Sequence, residues 1–387
     1  MKRFKKIALI VSVICILAGL CMVAAACFSL RDTDPRELST MQFQEETCLI
    51  TDSFDCIEID TMNSSVEILP SGDGTCRIVC DDSEKLYHEI SVRDTAEGTT
   101  LSIVQHSEWK WYESMWGFCW DKDPIVTVYL PEAEYNTLSV TTSSGDITVT
   151  PGFRFQVTGI GTASGDIALS ELSTEDLNVT SSSGNMDVRS VQAELQVYLE
   201  TVSGFMQAED LTTADLTLAS SSGDIVLENA AAEHLGLSTV SGNVTVSGGS
   251  FSGSSCFETS SGYVEILDSS CGEQILQTTS GDLTLQNVKN STLNVSSSSG
   301  CVELRDSICE GEVLFMMVSG DVTFSGADAA CMDIMSSSGN VTGTLLTPKN
   351  FVTETSSGYV EVPYSDRNAG TCSIQTVSGD IHIALQP

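Results

Sequence analysis

Four tryptophans, Trp109, Trp111, Trp116 and Trp120, crowd into residues 105–123, which read QHSEWKWYESMWGFCWDKD. No other tryptophan occurs in the chain, and aromatics make up only 6% of it. Tyr112 and Phe118 stand among them. Tryptophan combines a large apolar area with one polar N–H, so it suits stacking on a glycan, docking a partner or resting at an outer membrane leaflet. A hydrophobic hairpin that caps the end of a fold is the plainer use of the same residues. These four are the candidate binding residues.

Other chemistry is harder to assemble. His88, His106, His234 and His382 each stand alone, with no second ligand or triad partner within reach by spacing, so no catalytic residue is assigned. Serines abound, but a serine nucleophile needs an activating base. Of the 14 cysteines, Cys15, Cys21 and Cys27 fall in an apolar N-terminal run. The other 11 form no Cys-x-x-Cys pair, so neither a metal nor a cofactor is expected. Exported cysteines usually pair, yet an odd number leaves one over, and many suit burial as small apolar residues.

Charge narrows the function further. Lys+Arg is 17 and Asp+Glu is 53, a net of −36, which excludes phosphate-directed nucleic-acid binding. From residue 141 onward 6 basic residues face 30 acidic ones, so an acidic polysaccharide would be repelled. A neutral-glycan hydrolase needs only two aligned carboxylates, but nothing marks out a pair. The expectation is a protein that is not an enzyme.

The elements that position these residues are set by a repeat. A Ser-Gly pair recurs at almost constant intervals, with its glycine at 145, 165, 184, 204, 223, 242, 262, 281, 300, 320, 339, 358 and 379. Three residues before the glycine stands Thr or Ser in 12 of 13 copies, with Met317 the exception. Apolar residues recur five before it and at two and four after it, as in Val179, Met186 and Val188. Apolar positions two apart are strand periodicity, and so short a unit buries its apolar face only by stacking on copies of itself. The expected fold is all-β: a parallel β-solenoid (β-helix) of about 19–20-residue Ser-Gly repeats, preceded by one N-terminal transmembrane helix.

Three finer expectations follow. Glycine is expected to supply a positive φ at the turn. The Thr/Ser column is expected to form internal hydroxyl ladders, each donating to the next rung. The residue two before the glycine alternates (Ser182, Val202, Ser221, Val240), so a coil holds one repeat, or two if Val stacks on Val. Asp or Asn follows the glycine in 9 copies. That is turn chemistry, and the nonapeptide of calcium-binding β-rolls is absent.

The chain divides into a basic tail (1–6), an uncharged apolar run (7–28), a tether (29–46), a degenerate β capping section (47–140) containing the tryptophan insertion, and a thirteen-repeat solenoid (141–387). A bilayer is spanned by about 20 apolar helical residues, so the run 7–28 is long enough to cross one. The basic flank stays inside, which puts the rest outside the cell. Cleavage after Ala24-Ala25-Ala26, or lipidation at Cys27, are alternatives that also export the chain.

A basic-start anchor, a degenerate strand section, an aromatic insertion and then VTVYLP leading into LSVTTSSGDITV resemble a bacterial family of β-strand-repeat "putative adhesin" proteins, a domain of unknown function. The resemblance covers about residues 47–387. It implies a β-helical fold at the cell surface and supplies no catalytic residue. The expected role is a membrane-anchored extracellular binding module, a single-pass protein whose partner is a cell-wall polymer, a surface glycan or a membrane protein. The alternative is an envelope-stress accessory or sensor that works through a membrane protein.

Overall fold

A computed structural model describes residues 43–96, 98–108 and 123–386. The apolar run 7–28 lies outside the described residues, among which no helix is long and apolar enough to cross a membrane. All regular structure among the described residues is β-strand.

Each repeat contributes one long and one short strand, for example Leu172–Ser181 and Met186–Arg189, then Gln192–Thr201 and Met206–Glu209. Short strands stack in parallel, Ile167 on Met186 on Met206 on Ile225. Long strands do the same, Val179 on Leu199 on Leu218. Partners are therefore one repeat apart, and a coil holds one repeat rather than two. The alternating Ser/Val column points outward, with Val202 49% and Val240 56% exposed, so it has no part in core stacking.

The columns expected to be apolar fill the narrow space between the two sheets. Val179, Leu199, Leu218, Met206 and Ile225 have essentially no exposed surface. Burying one such side chain stabilises by about 1.5–3 kcal/mol, and every rung repeats the burial.

The Ser-Gly corner works differently from the expectation. None of the eight repeat glycines from Gly145 to Gly281 has a positive φ. Glycine is required there because a Cβ on Gly204 would lie 2.6 Å from the carbonyl carbon of Gly184 and nearer still to its oxygen. Left-handed residues sit instead at the second corner, six residues on: Glu171, Ser190, Asp210, Asn229, Asp268, Asn287 and Asp306, with Gly248 and Gly326 in the same column. That column is rich in Asp, Asn and Gly, the residues that tolerate this conformation best.

The hydroxyl ladders also change column. The buried Thr/Ser oxygen accepts the N–H of the glycine in its own turn, as in Gly204 N–H to Thr201 Oγ1 at 3.1 Å and Gly223 N–H to Ser220 Oγ at 2.8 Å. The serine before the glycine donates to the preceding rung, Ser203 Oγ to Ser182 O at 3.3 Å and Ser222 Oγ to Val202 O at 3.2 Å. From Gly300 the corner changes again: Gly300, Gly320 and Gly339 have positive φ, at 134°, 133° and 148°. The column hydroxyls of Ser297 and Ser336, three before Gly300 and Gly339, find no partner, and neither does Thr376, three before Gly379.

Asp and Asn after the glycine form a second inter-rung ladder. Asp166 N–H donates to Asp146 Oδ1 at 2.8 Å, Asn185 N–H to Asp166 Oδ1 at 2.7 Å, and Phe205 N–H to Asn185 Oδ1 at 3.0 Å. The pattern recurs from Asn243 to Asp224 and from Cys301 to Asp282. The carbonyl-type oxygen is the useful atom, which is why Asp and Asn share the column.

Sequence order and stacking order part company at both ends. Near the N-terminus, Cys56–Thr61 lies between Gly98–Ser107 and Glu134–Thr142, and Ser65–Pro70 lies between Ile125–Leu130 and Ile147–Val149. Three antiparallel strands close that end. Leu86–Thr95 covers Gly98–Ser107, Cys76–Asp82 covers Ile125–Leu130, and Gln44–Ile50 covers Cys76–Asp82. Near the C-terminus, Thr371–Ser378 pairs on one side with the end of Val322–Ser338 and on the other with Asn350–Ser357. The last strands of the chain thus sit one layer in from the end of the stack.

Candidate functional site

Each Ser-Gly turn rests on the turn before it: Ser164 N–H donates to Ser143 O, and Ser143 N–H to Met62 O. The turn at residues 62–64 is the first of this series. The rung outside it has Thr100 beside Cys56 but Ile125 beside Ser65. Between those two points the outer rung therefore carries a much longer stretch of chain than its neighbour. The aromatic insertion (105–123) falls within that stretch of sequence. Residues 109–122, which include Trp109, Trp111, Trp116 and Trp120, lie outside the described residues.

Among the described residues, the outer side of the 62–64 turn is met by side chains. Gln105, 4% exposed, accepts the N–H groups of Met62 and Asn63 on Oε1 and donates from Nε2 to Asn63 Oδ1 at 2.9 Å. His88 lies across the strand pair from Gln105 and also reaches this turn. Its Nε2 is 3.1 Å from Ser64 Oγ, and its Nδ1 is 2.6 Å from Asp82 Oδ1. Asp82 Oδ2 accepts the His88 backbone N–H at 3.2 Å as well.

Ser64, His88 and Asp82 are thus joined in the order of a hydrolytic triad. The serine is in the wrong place to use it. Ser64 has 0% exposure, pressed between the Gly145 turn below and His88 and Gln105 above, so no acyl carbon can approach its oxygen. The relay ties the capping strand to the first turn.

A fourth group faces the same point. Cys80 is two residues before Asp82 on one strand, and its Sγ, an Asp82 oxygen and a His88 ring nitrogen lie within 4.8 Å of one another. Burial, then the nearby Asp82, Cys48, Asp81 and Glu46, push the Cys80 thiol up to about 12. Among the described residues this is the one cluster of three metal-capable side chains. Spacing alone does not reveal it, because Cys80 and Asp82 come from one sheet, His88 from the other, and Ser64 from a different rung. The i, i+2 placement of Cys80 and Asp82 on a strand is the available signal.

A second feature lies near the other end. Met316 and Met335, with Val318 and Val377 beside them, line an open groove of about 490 Å³ on the outer face of the long strands. These four side chains are 39–59% exposed, in contrast to the mainly polar columns around them.

The family described as Toastrack DUF4097 matches residues 54–267 and again 257–387. No curated protein matches the chain. Among solved structures, a "putative adhesin" of Bacteroides fragilis aligns at 13% identity over 89% of this chain and 99% of its own, with a TM-score of 0.24. One of Parabacteroides distasonis aligns at 14% identity over 88% and 98%, with a TM-score of 0.25. A "putative cell adhesion protein" of Clostridium sporogenes aligns at 10% identity over 89% and 100%, with a TM-score of 0.19.

Proposed function

We propose, on the premise that this chain belongs to the Toastrack DUF4097 family, that it is an adhesin-type binding module held at the outer face of a cell membrane by residues 7–28. Its ligand is a cell-wall polymer or surface glycan. The observation that carries this reading is the groove in which Met316, Val318, Met335 and Val377 bring exposed apolar surface together on an acidic rod. Exposed apolar surface of this kind on a rigid scaffold is the ordinary mark of a contact surface. Trp109, Trp111, Trp116 and Trp120 supply further stacking contacts.

Co-sedimentation of residues 31–387 with cell-wall sacculi tests the reading. One variant carries all four tryptophans as Ala, and another carries Met316→Ser with Met335→Ser. Binding that either variant loses assigns the surface. Absence of binding by the unmodified chain counts against a wall ligand.

A second reading, a membrane protein as partner, draws on the strand order. Gln44–Ile50, which begins within the last residues of the stretch read as a tether (29–46), covers Cys76–Asp82, which covers Ile125–Leu130 in the rung interrupted by the insertion. The strands that flank the aromatic segment, Gly98–Ser107 and Ile125–Leu130, therefore belong to the same capped end as Gln44–Ile50. Photocrosslinking from position 111 or 116 in intact cells would capture one membrane protein on this reading, and no adduct would remove it.

A further inference from the structure

We propose that Cys80, Asp82 and His88 form a site for one divalent ion of borderline softness, Zn²⁺, at the N-terminal cap of the solenoid. The argument begins with the ligand set. A thiolate, an imidazole and a carboxylate are the donors that zinc takes in combination, whereas calcium and magnesium want oxygen alone. The three donor atoms already lie within 4.8 Å of one another. Cys80 and His88 are buried and Asp82 is half-buried, so the ion would sit in the closing layer of the rod rather than on its surface.

The hydrogen bonds fix which atoms would bind. Ser64 Oγ holds His88 Nε2 at 3.1 Å, leaving Nδ1 to face Asp82 Oδ1 at 2.6 Å. With an ion bound, Nε2 carries the ring proton and donates it to Ser64, while the Nδ1 lone pair and an Asp82 oxygen turn to the metal. Ligating histidines are normally oriented by such a second partner. Two ligands at about 2.1 Å in tetrahedral array stand roughly 3.4 Å apart, so Nδ1 and Oδ1 must separate by about 0.8 Å. Rotation of the Asp82 carboxylate about a strand end, in a residue still partly open to solvent, can supply that.

Charge favours entry. Asp81 and Glu46 stand close to Cys80 in addition to Asp82. On binding, the Cys80 S–H bond breaks, sulfur keeps the electron pair as thiolate to the ion, and the proton leaves to solvent. A water molecule completes the tetrahedron. The inference stands apart from the binding role proposed above, since a structural ion would brace the cap whatever the rod binds.

The full-length chain purified in detergent, stripped with a chelator and titrated with Zn²⁺ and separately with Co²⁺, provides the test. The expected result is one equivalent of Zn²⁺ retained through gel filtration and, with Co²⁺, a thiolate-to-cobalt charge-transfer band in the near ultraviolet. Cys80→Ser abolishes the band, and Ser64→Ala weakens metal affinity by about tenfold or more. Cys309→Ser, a buried thiol far along the rod, leaves both unchanged. A wild-type chain that takes up no metal and shows no band overturns the proposal without recourse to any variant. So does a band that survives Cys80→Ser.

Discussion

Replacing Gly204 by Ala puts the stacking account of the Ser-Gly corner at risk. The added Cβ would lie 2.6 Å from the carbonyl carbon of Gly184, against about 3.5–4.0 Å for carbons in contact. The two rungs must therefore part by about 1 Å at this corner. Hydrogen bonds that cross the same gap are Met186 N–H to Phe205 O at 2.8 Å, Ser203 N–H to Ser182 O at 3.1 Å and Phe205 N–H to Asn185 Oδ1 at 3.0 Å. Lengthened by that much, all three pass beyond the roughly 3.2 Å limit. At about 1 kcal/mol each the loss is about 3 kcal/mol. Gly159→Ala is the matched control, because its Cβ meets nothing within 4 Å and its φ is not positive. It should be neutral or stabilise slightly, by about 0.4–1 kcal/mol, through the unfolded chain. Urea unfolding followed by far-UV circular dichroism reads both variants. Hydrogen exchange should place the Gly204→Ala loss in the rungs next to residue 204, since each rung touches only its neighbours. Equal midpoints for the two variants would refute the reasoning and return the glycine column to a matter of turn propensity.

Three further outcomes are expected. Lys349 is 4% exposed and pairs with Asp328 at 2.6 Å, so Lys349→Met should cost about 3–5 kcal/mol. Adding Asp328→Leu should recover most of that cost in a thermal melt, and failure to do so would show that the pair is not the cause. Asp282→Asn keeps the oxygen that accepts the Cys301 N–H and should leave the urea midpoint in place, whereas Asp282→Ala should lower stability by about 1 kcal/mol. An equal loss in both would mean that charge, not the acceptor, matters. Burial holds the Cys372 thiol up at about 12 and Cys271 up at about 11, above the ordinary 9.0. A raised folded-state value means stability that is complete below pH 9 and is lost as pH climbs toward 12. The melting temperature should therefore fall across that window, and Cys372→Val should flatten the fall. An unchanged slope in the variant would assign the fall to other groups.

The interior of the rod is legible because one-dimensional stacking repeats the same demand at every rung. Columns such as Val179, Leu199 and Leu218 expose in sequence the strand and the face they occupy. Corners are less legible. A glycine before Asp reads as a positive-φ turn, but the requirement at Gly204 comes from a carbonyl one repeat away. The left-handed position six residues on is visible as a column of Asp, Asn and Gly, but Glu171 and Ser190 dilute it. The Ser/Val alternation misleads for a related reason: a two-repeat period on an exposed column carries no packing information. Near the N-terminus the difficulty is topological. Ser64 and Gly145 are distant in sequence and only one layer apart, because the intervening chain forms the outer rung and the antiparallel cap. His88 meets Ser64 and Cys80 only through that fold-back, which no local spacing encodes.

The interchange of rungs at the C-terminal end has a mechanical consequence. A solenoid whose last repeat were also its outermost layer would peel under tension, one ladder at a time, from its free end. Here a pull from the C-terminal side loads Ile381–Leu385 first, which is bonded to Val341–Leu345 on one face and to Val360–Glu361 on the other. Two ladders must yield together before that strand comes free, and Thr371–Ser378 behind it is likewise held by Met332–Ser338 and Asn350–Ser357. The arrangement acts as a locking stitch, so the rod resists unravelling from a tugged end far better than its repeat-by-repeat construction would otherwise allow.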